Sequence, residues 1–329
     1  MLRAMITGGA GFIGSNLVRR LQDEHPDARL LVIDDLRTGT FANLCDDSPD
    51  GWSYGGQLVA RSLGSLNLDD LVDQFDPQII FHEASITDTT IIDEARMVVE
   101  NVEPFKKLLE IAVARGLKLV WASSAATYGR LANGATAERR PFRLEDAGHP
   151  ANAYGISKLL MENLHRQMLE EHPEAHVVAL RYFNVFGAGE RNKKHMASMV
   201  FQLAEQMLSG KQPRIFRDGE QARDQVPVED VVDATLAAAG DGARSGIYNV
   251  GSGQTTTYNQ IICALNQALG TRYEPQYFDN PYPFYQDYTC ADLSQTRDGL
   301  GWSSKAPPQE SIIAYGRWLQ KRFGVPSRE

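Results

Sequence analysis

Ser124, Tyr154 and Lys158 have the types and spacing to move a proton at an alcohol carbon. Tyr154 and Lys158 stand four positions apart in an amphipathic stretch, so on a helix they rise about 6 Å along one face and their side chains converge. An ammonium beside a phenol favours phenolate and would lower a tyrosine pKa from its ordinary value near ~10, making Tyr154 a general base near neutral pH. Ser124 comes just past the apolar run Leu117 to Ala122, at the end of a strand, where open α/β sheets place their ligand-binding residues. Taken alone, a tyrosine and a lysine at this spacing are an ordinary surface pair. A second segment lifts them above that reading. Thr7-Gly8-Gly9-Ala10-Gly11-Phe12-Ile13-Gly14 lies between an apolar run and an amphipathic one. Glycines there allow a tight turn and close backbone approach, and the helix N-terminus that follows faces a pyrophosphate. Asp34 lies some twenty residues further on, where a carboxylate can accept hydrogen bonds from adenosine ribose hydroxyls, which favours NAD. Arg37 is near enough to meet a 2′-phosphate instead, so the choice between NAD and NADP stays open.

Such residues need strands that end and helices that begin in the right places. Arg3 to Thr7 reads as a buried strand, Gly14 to Asp23 as a helix and Arg29 to Asp34 as a second strand. Gln78 to His82 and Leu117 to Ala122 are two further apolar runs, separated by a helical pattern from about Asp93 to Arg115. A helix from about Ala153 to Glu171 precedes a strand from His176 to Arg181. Strands alternating with amphipathic helices predict an α/β fold with a doubly wound parallel sheet, a Rossmann domain for a dinucleotide over residues 1–183. From about residue 184 the rhythm loosens, and Gly, Pro and aromatic residues collect around Asp279 to Tyr288. Residues 184–329 read as a smaller mixed α/β substrate-binding lobe, part of which returns to the Rossmann sheet.

A length of 329 residues suits two packed units or one large α/β domain. With 43% apolar and 23% charged residues, the composition excludes collagen-like, low-complexity and disordered classes. The formal charge is −9, so nucleic acid or an anionic membrane would have to bind against the overall field, and neither is expected as a partner. An anionic ligand needs a local basic site. The first residues lead straight into the glycine turn without room for a secretory signal, and no apolar run approaches the ~20 residues that span a bilayer. A cytoplasmic location is expected. Cys45, Cys263 and Cys290 match no metal or redox spacing, which predicts reduced thiols and no metal.

Thr7 to Gly14, Ala122-Ser123-Ser124-Ala125-Ala126-Thr127-Tyr128-Gly129 and Tyr154-Gly155-Ile156-Ser157-Lys158 together resemble the extended short-chain dehydrogenase/reductase superfamily, specifically its nucleotide-sugar epimerases and dehydratases. The resemblance runs over nearly the whole chain. Phe81-His82-Glu83-Ala84 followed by Thr89-Thr90, Arg181-Tyr182-Phe183-Asn184-Val185-Phe186-Gly187 and Met196-Ala197-Ser198 are most similar to the ADP-L-glycero-D-manno-heptose 6-epimerase branch. Tyr285-Gln286 leading to Ala291-Asp292-Leu293 is similar too.

This resemblance implies a tightly held NAD or NADP. Its contacts would be Gly8, Gly11, Phe12, Ile13, Gly14, Asp34, Asp35, Arg37, Glu83, Ala84 and Asn101, with Ser124, Tyr154 and Lys158 at the nicotinamide. It implies a nucleoside-diphosphate sugar as substrate, touched by Ser124, Asn184, Arg223 and Tyr285, and Lys193 as a second acid/base. A homo-oligomer is expected. The reaction so implied is epimerisation by transient oxidation to a ketone and re-reduction. Gln225 and Pro227 stand where relatives usually carry aromatic residues, and Lys193-Lys194-His195 replaces a glycine-richer stretch. Both departures fall on the substrate side, so a UDP-hexose 4-epimerase, which needs no Lys193, stays beside the heptose reading. Ala125-Ala126 before Thr127 lacks the Asp-Glu pair usual in dehydratases, which ranks that reaction lower. A silent NAD(P)-sensing scaffold is the reading from another class, and the intact Ser124, Tyr154 and Lys158 argue against it. His82 reads as a structural strand-end histidine, and His195 has no evident partner.

Overall fold

A computed structural model describes residues 1–45, 51–129, 131, 139–279 and 286–324. The first part alternates as β1 (Arg3–Thr7), α1 (Phe12–Glu24), β2 (Arg29–Ile33), β3 (Gln57–Val59), α2 (Leu68–Phe75), β4 (Ile79–His82), α3 (Glu94–Met97), α4 (Glu103–Ala114), β5 (Lys118–Ser124), α5 (Ala153–Glu171) and β6 (Val177–Tyr182). There follow β7 (Asn184–Phe186), α6 (Met199–Leu208), β8 (Arg214–Phe216), β9 (Ala222–Arg223), β10 (Gln225–Pro227), α7 (Val228–Ala239), β11 (Gly246–Val250), β12 (Thr256–Thr257), α8 (Tyr258–Leu269), β13 (Gln276–Phe278), α9 (Ser294–Leu300) and α10 (Pro308–Phe323).

Seven of these strands form one parallel sheet in the order β11-β6-β5-β4-β1-β2-β3. Its strands are apolar on both faces because helices cover both, as a parallel sheet requires. Ile6, Val32, Phe81, Val120 and Leu180 pack on the side of α1 and α7, whereas Met5, Leu31, Ile80, Leu119 and Trp121 pack against α2, α4 and α5. The doubly wound expectation is met. β11 lies far along the chain yet pairs with β6, and α7 packs on α1. The remainder builds a third core from α6, α8 and α10, fringed by the two-stranded pairs β7–β10, β9–β12 and β8–β13.

The helical pattern expected from Asp93 to Arg115 is present but interrupted by a π-helical turn, Val98–Val102. Pro104 explains it: without an N–H it cannot close the α-helical bond one turn back, and the backbone widens just ahead of it. Asn101 sits in that turn. Among the described residues no helix is long and apolar enough to cross a membrane, no His/Cys/Asp/Glu group could hold a metal ion, and the three cysteines are free.

Candidate active site

The strand order reverses between β1 and β4, so the carboxyl ends of these two strands open a crevice at a topological switch point. The glycine turn fills its floor. Gly8 has φ +70°, and a Cβ there would stand 2.6 Å from the Ala84 nitrogen. A Cβ on Gly14 would stand 2.2 Å from the Gly8 carbonyl oxygen. Only glycine fits either place. Helix α1 starts at Phe12 behind Gly11, with no side chain capping its first turn, so the N–H groups of that turn are left to a ligand. Gly8, Gly11, Phe12, Ile13 and Gly14 therefore fit the phosphates of a dinucleotide. No dinucleotide is needed to explain Asp34, however. Its carboxylate accepts from the Ala10 and Leu36 nitrogens at 3.0 and 2.8 Å, and burial holds its pKa above the ordinary value against those donors. Arg37, expected to be available to a phosphate, is an ion-pair partner of Asp35 at 2.7 Å and of Glu100.

Ser124, Tyr154 and Lys158 come together as expected. Ser124 is the last residue of β5 rather than a residue beyond it, since the ladder to β6 continues to Tyr182. Asn152 caps α5 by accepting from the Gly155 nitrogen at 2.8 Å, and this fixes Tyr154 in the helix's first turn. The Ser124 hydroxyl accepts from the Ala126 nitrogen at 3.1 Å and acts on the Tyr154 phenol to lower its pKa. Lys158 Nζ lies 5.9 Å from the Tyr154 ring centroid and donates to the Ala122 carbonyl at 2.7 Å. Lys158 is fully buried, whereas Ser124 and Tyr154 are half-buried.

One electrostatic expectation fails. Lys158 does not pull the Tyr154 pKa down; burial, joined by the charge of Glu83, pushes it above its ordinary value against the opposing influence of Ser124. The ammonium is spent on the Ala122 carbonyl, and burial lowers its own pKa to about 8.

The other expected residues fall in different places. Glu83 and Ala84 lie against Gly8, beside the glycine turn. Asn101 is buried with its amide occupied: it donates to the Ile86 carbonyl and the Ser157 hydroxyl at 3.1 Å each and accepts from the Ile86 nitrogen at 2.8 Å. It braces the loop after β4 onto α5. Lys193 belongs to the turn that follows Ala188 and Gly189, which Asn16 of α1 ties down by donating to the Ala188 carbonyl at 2.8 Å, while the Asn43 amide donates to the Gly189 carbonyl at 3.4 Å and to the Ala10 carbonyl of the glycine turn at 3.0 Å. Its Nζ stands 5.3 Å from the Phe12 ring centroid, and burial lowers its pKa while Glu190 opposes the shift. Asn184 is exposed at the start of β7 and accepts from the Thr289 hydroxyl at 3.2 Å. Arg223 is buried on β9, donating to the Ala222 carbonyl at 3.0 Å, and Tyr285 lies outside the described residues. His82 is structural, bonded through Nδ1 to the Thr7 hydroxyl at 2.8 Å, and His195 does have a neighbour, Asp88, at 3.7 Å.

Sequence reading missed Tyr182, whose phenol donates to Glu83 Oε1 at 3.0 Å, and Asp224, whose buried carboxylate accepts from the Ser252, Gly253 and Ala291 nitrogens. It also missed Glu162 and Arg181, a buried two-point ion pair at 2.7 Å directly behind Ser123. Arg181, a charged residue within the apolar run of β6, is the signal that marked this pair.

Residues 4–251 match the model of the NAD dependent epimerase/dehydratase family. The solved Helicobacter pylori ADP-L-glycero-D-manno-heptose-6-epimerase is 33% identical, with TM-score 0.82 and a match covering 95% of this chain and 94% of that one. UDP-glucose 4-epimerase of Thermotoga maritima, solved with UDP-glucose, is 28% identical with TM-score 0.86, covering 98% and 99%. UDP-N-acetylglucosamine 4-epimerase of Methanobrevibacter ruminantium, in complex with UDP-N-acetylmuramic acid, is 25% identical with TM-score 0.84, again covering 98% and 99%.

Proposed function

The chain belongs to the NAD-dependent epimerase/dehydratase family, and we propose that within it the protein is an isomerase that inverts one carbinol centre of a nucleoside-diphosphate sugar. The observation that carries this reading is Tyr154 in the first turn of α5, its ring flanked by fully buried Lys158, beside the strand that ends in Ser124 and at the mouth of a crevice floored by an uncapped helix terminus. Gly8, Gly11, Phe12, Ile13 and Gly14 would hold a nicotinamide dinucleotide there, which would supply reversible hydride transfer with the sugar. Tyr154 takes the hydroxyl proton as the carbinol becomes a ketone, while Ser124 holds the same oxygen. Lys158, donating to the Ala122 carbonyl, anchors the helix that carries the phenol to the strand that ends in Ser124. When the ketone turns its other face, the proton is returned to the new alkoxide and no net oxidation remains. The cofactor has to stay bound through both halves.

NAD suits the adenosine end better than NADP. Asp34 and Asp35 sit side by side at the end of β2, and Arg37 is shared between Asp35 and Glu100, so a 2′-phosphate would enter a negative surround. Arg223, a buried guanidinium on the lobe, suits the substrate diphosphate, and exposed Asn184 suits the sugar. Val99, Ile156 and Leu160 leave an exposed apolar strip across the π-turn and α5, which suits pairing with a second copy.

The substrate reading is an ADP-glycero-manno-heptose, inverted at carbon six with Lys193 as second acid/base. Burial of Lys193 supports it by lowering the pKa toward the range where an amine can accept a proton. The close likeness of the chain to UDP-sugar 4-epimerases keeps a UDP-hexose as the second reading. The test is NMR of both heptose epimers, UDP-glucose and UDP-galactose incubated with the purified protein and NAD in heavy water. Interconversion without deuterium on the inverted carbon is expected. Failure to convert any of the four would overturn the isomerase reading.

A further inference from the structure

The turn between β7 and α6 is closed at its base by one carboxylate. Glu190 is fully buried; its Oε1 accepts from the Gly187 nitrogen at 2.9 Å and the Ser198 hydroxyl at 3.0 Å, and its Oε2 from the Ser198 nitrogen at 2.6 Å. Gly187 follows the last residue of β7, and Ser198 caps α6 by accepting from the Phe201 nitrogen at 3.1 Å. Three donors thus converge on a group that only accepts, and they join the two ends of the turn. Between those ends the chain winds as a 3₁₀ helix over Glu190–Met196, kinked at Lys194, whose φ of +53° and ψ of −123° lie where residues with a Cβ are rarely found. Such a kink persists only where its surroundings impose it. Arg191, Asn192, Lys194 and His195 are exposed, whereas Lys193 is half-buried, its Nζ over the Phe12 ring at 5.3 Å from the centroid. In a 3₁₀ turn residues three apart lie one above the other, so Glu190 and Lys193 share the inward face.

We propose that Glu190 is a positioning residue for Lys193: by closing the turn at its base, its carboxylate holds the Lys193 side chain over Phe12 at the front of α1 instead of out in water. For its use the inference rests on the reading that makes Lys193 the second acid/base. A carboxamide in place of Glu190 could still accept on one side, but its NH2 would face an N–H on the other. An aspartate keeps the charge and loses the reach. Either change lets the turn swing and Lys193 leave the ring.

The test reads where Lys193 lies and needs no turnover. Lysines of the NAD-loaded protein are dimethylated reductively with carbon-13 formaldehyde, and the Lys193 methyl signal is identified by its loss in Lys193→Met. In the parent it is expected upfield, shifted by the Phe12 ring, and Phe12→Leu should remove that shift. Glu190→Gln should move the signal to its Phe12→Leu position while the other lysine signals stay. Glu190→Asp should move it part of the way, and serves alone if the amide does not fold. A Lys193 signal that keeps the parent's shift in a folded Glu190 variant overturns the inference, as does a parent signal that Phe12→Leu leaves unmoved. Where an epimer is turned over, Glu190→Gln should be slower by about tenfold or more, and the double variant with Lys193→Met no slower than Lys193→Met alone. Losses that multiply would show that Glu190 acts elsewhere and would overturn the inference too. Parent-like turnover in Lys193→Met would sink the second-base reading alone, leaving the methyl signal to decide this one.

Discussion

Lys158 Nζ donates to the Ala122 carbonyl over 2.7 Å, so the helix that carries Tyr154 is tied to the strand that ends in Ser124. The tie has a cost. Burial holds the folded-state pKa near 8, while the unfolded chain keeps the lysine proton up to its ordinary 10.5. The penalty is therefore full below pH 8 and is lifted as pH rises from 8 toward 10.5. Lys158→Met fills similar space without charge. We expect it to lower turnover by ~100-fold or more while its Tm at neutral pH is no lower than the parent's. Calorimetry that finds the variant destabilised by more than ~2 kcal/mol would contradict this account.

Arg37 is shared between Asp35 and Glu100, and this makes a prediction about cofactor choice. Titration calorimetry should show NAD binding more tightly than NADP. Arg37→Ala should alter NAD affinity by less than ~1 kcal/mol, because exposed ion pairs contribute little. A parent protein that prefers NADP, and loses the preference with Arg37→Ala, would show that the guanidinium leaves its carboxylates for the 2′-phosphate.

Glu162 and Arg181 form a two-point pair that is buried and completed by Ser123 and Arg166. Burial raises the Glu162 pKa, but Arg181 and the other donors outweigh it and hold the group below its ordinary 4.5. The stability it contributes is thus present above pH 4.5 and is lost as pH falls through the lower folded value. Glu162→Gln leaves Arg181 buried without its counter-charge and should cost ~3–5 kcal/mol at neutral pH. Denaturant titrations should find the gap between variant and parent closing in acid. A gap that stays constant with pH would mean that shape, not charge, is what Glu162 supplies.

The sequence made the sheet legible because each strand is a short apolar run and each helix an amphipathic one, and the run Arg3 to Thr7 coincides with β1. The trio was legible for the same reason: Tyr154 and Lys158 are neighbours on one helix, and a local period brings them together. What stayed hidden depends on non-local geometry. Tyr182 meets Glu83 across 99 positions, and no spacing rule joins β6 to β4 before the strand order is known. The direction of the Tyr154 shift was hidden too. It follows from depth of burial and from a carboxylate on another strand, and the sequence records neither.

Lys193 separates the two substrate readings. A hydride that returns to the opposite face of a ketone leaves the alkoxide on a different side of the site. One tyrosine serves both directions only if the whole sugar swings round and presents its oxygen to the same phenol. Inversion on a short side arm moves the oxygen while the ring stays put, which calls for a second acid/base on another wall. Lys193 comes from the turn after Gly189, tied to α1 and to Asn43, not from α5, and its pKa is lowered by burial against the pull of Glu190. It is therefore separate from Tyr154 in origin and suited to proton exchange. For the six-position reaction, Lys193→Met should slow interconversion strongly from both epimers but unequally, since each epimer uses the two bases in opposite order. Single-turnover nicotinamide reduction with each epimer, compared between Tyr154→Phe and Lys193→Met, measures that asymmetry. Parent-like rates in Lys193→Met from both epimers would remove the second base and move the UDP-hexose 4-epimerase reading ahead.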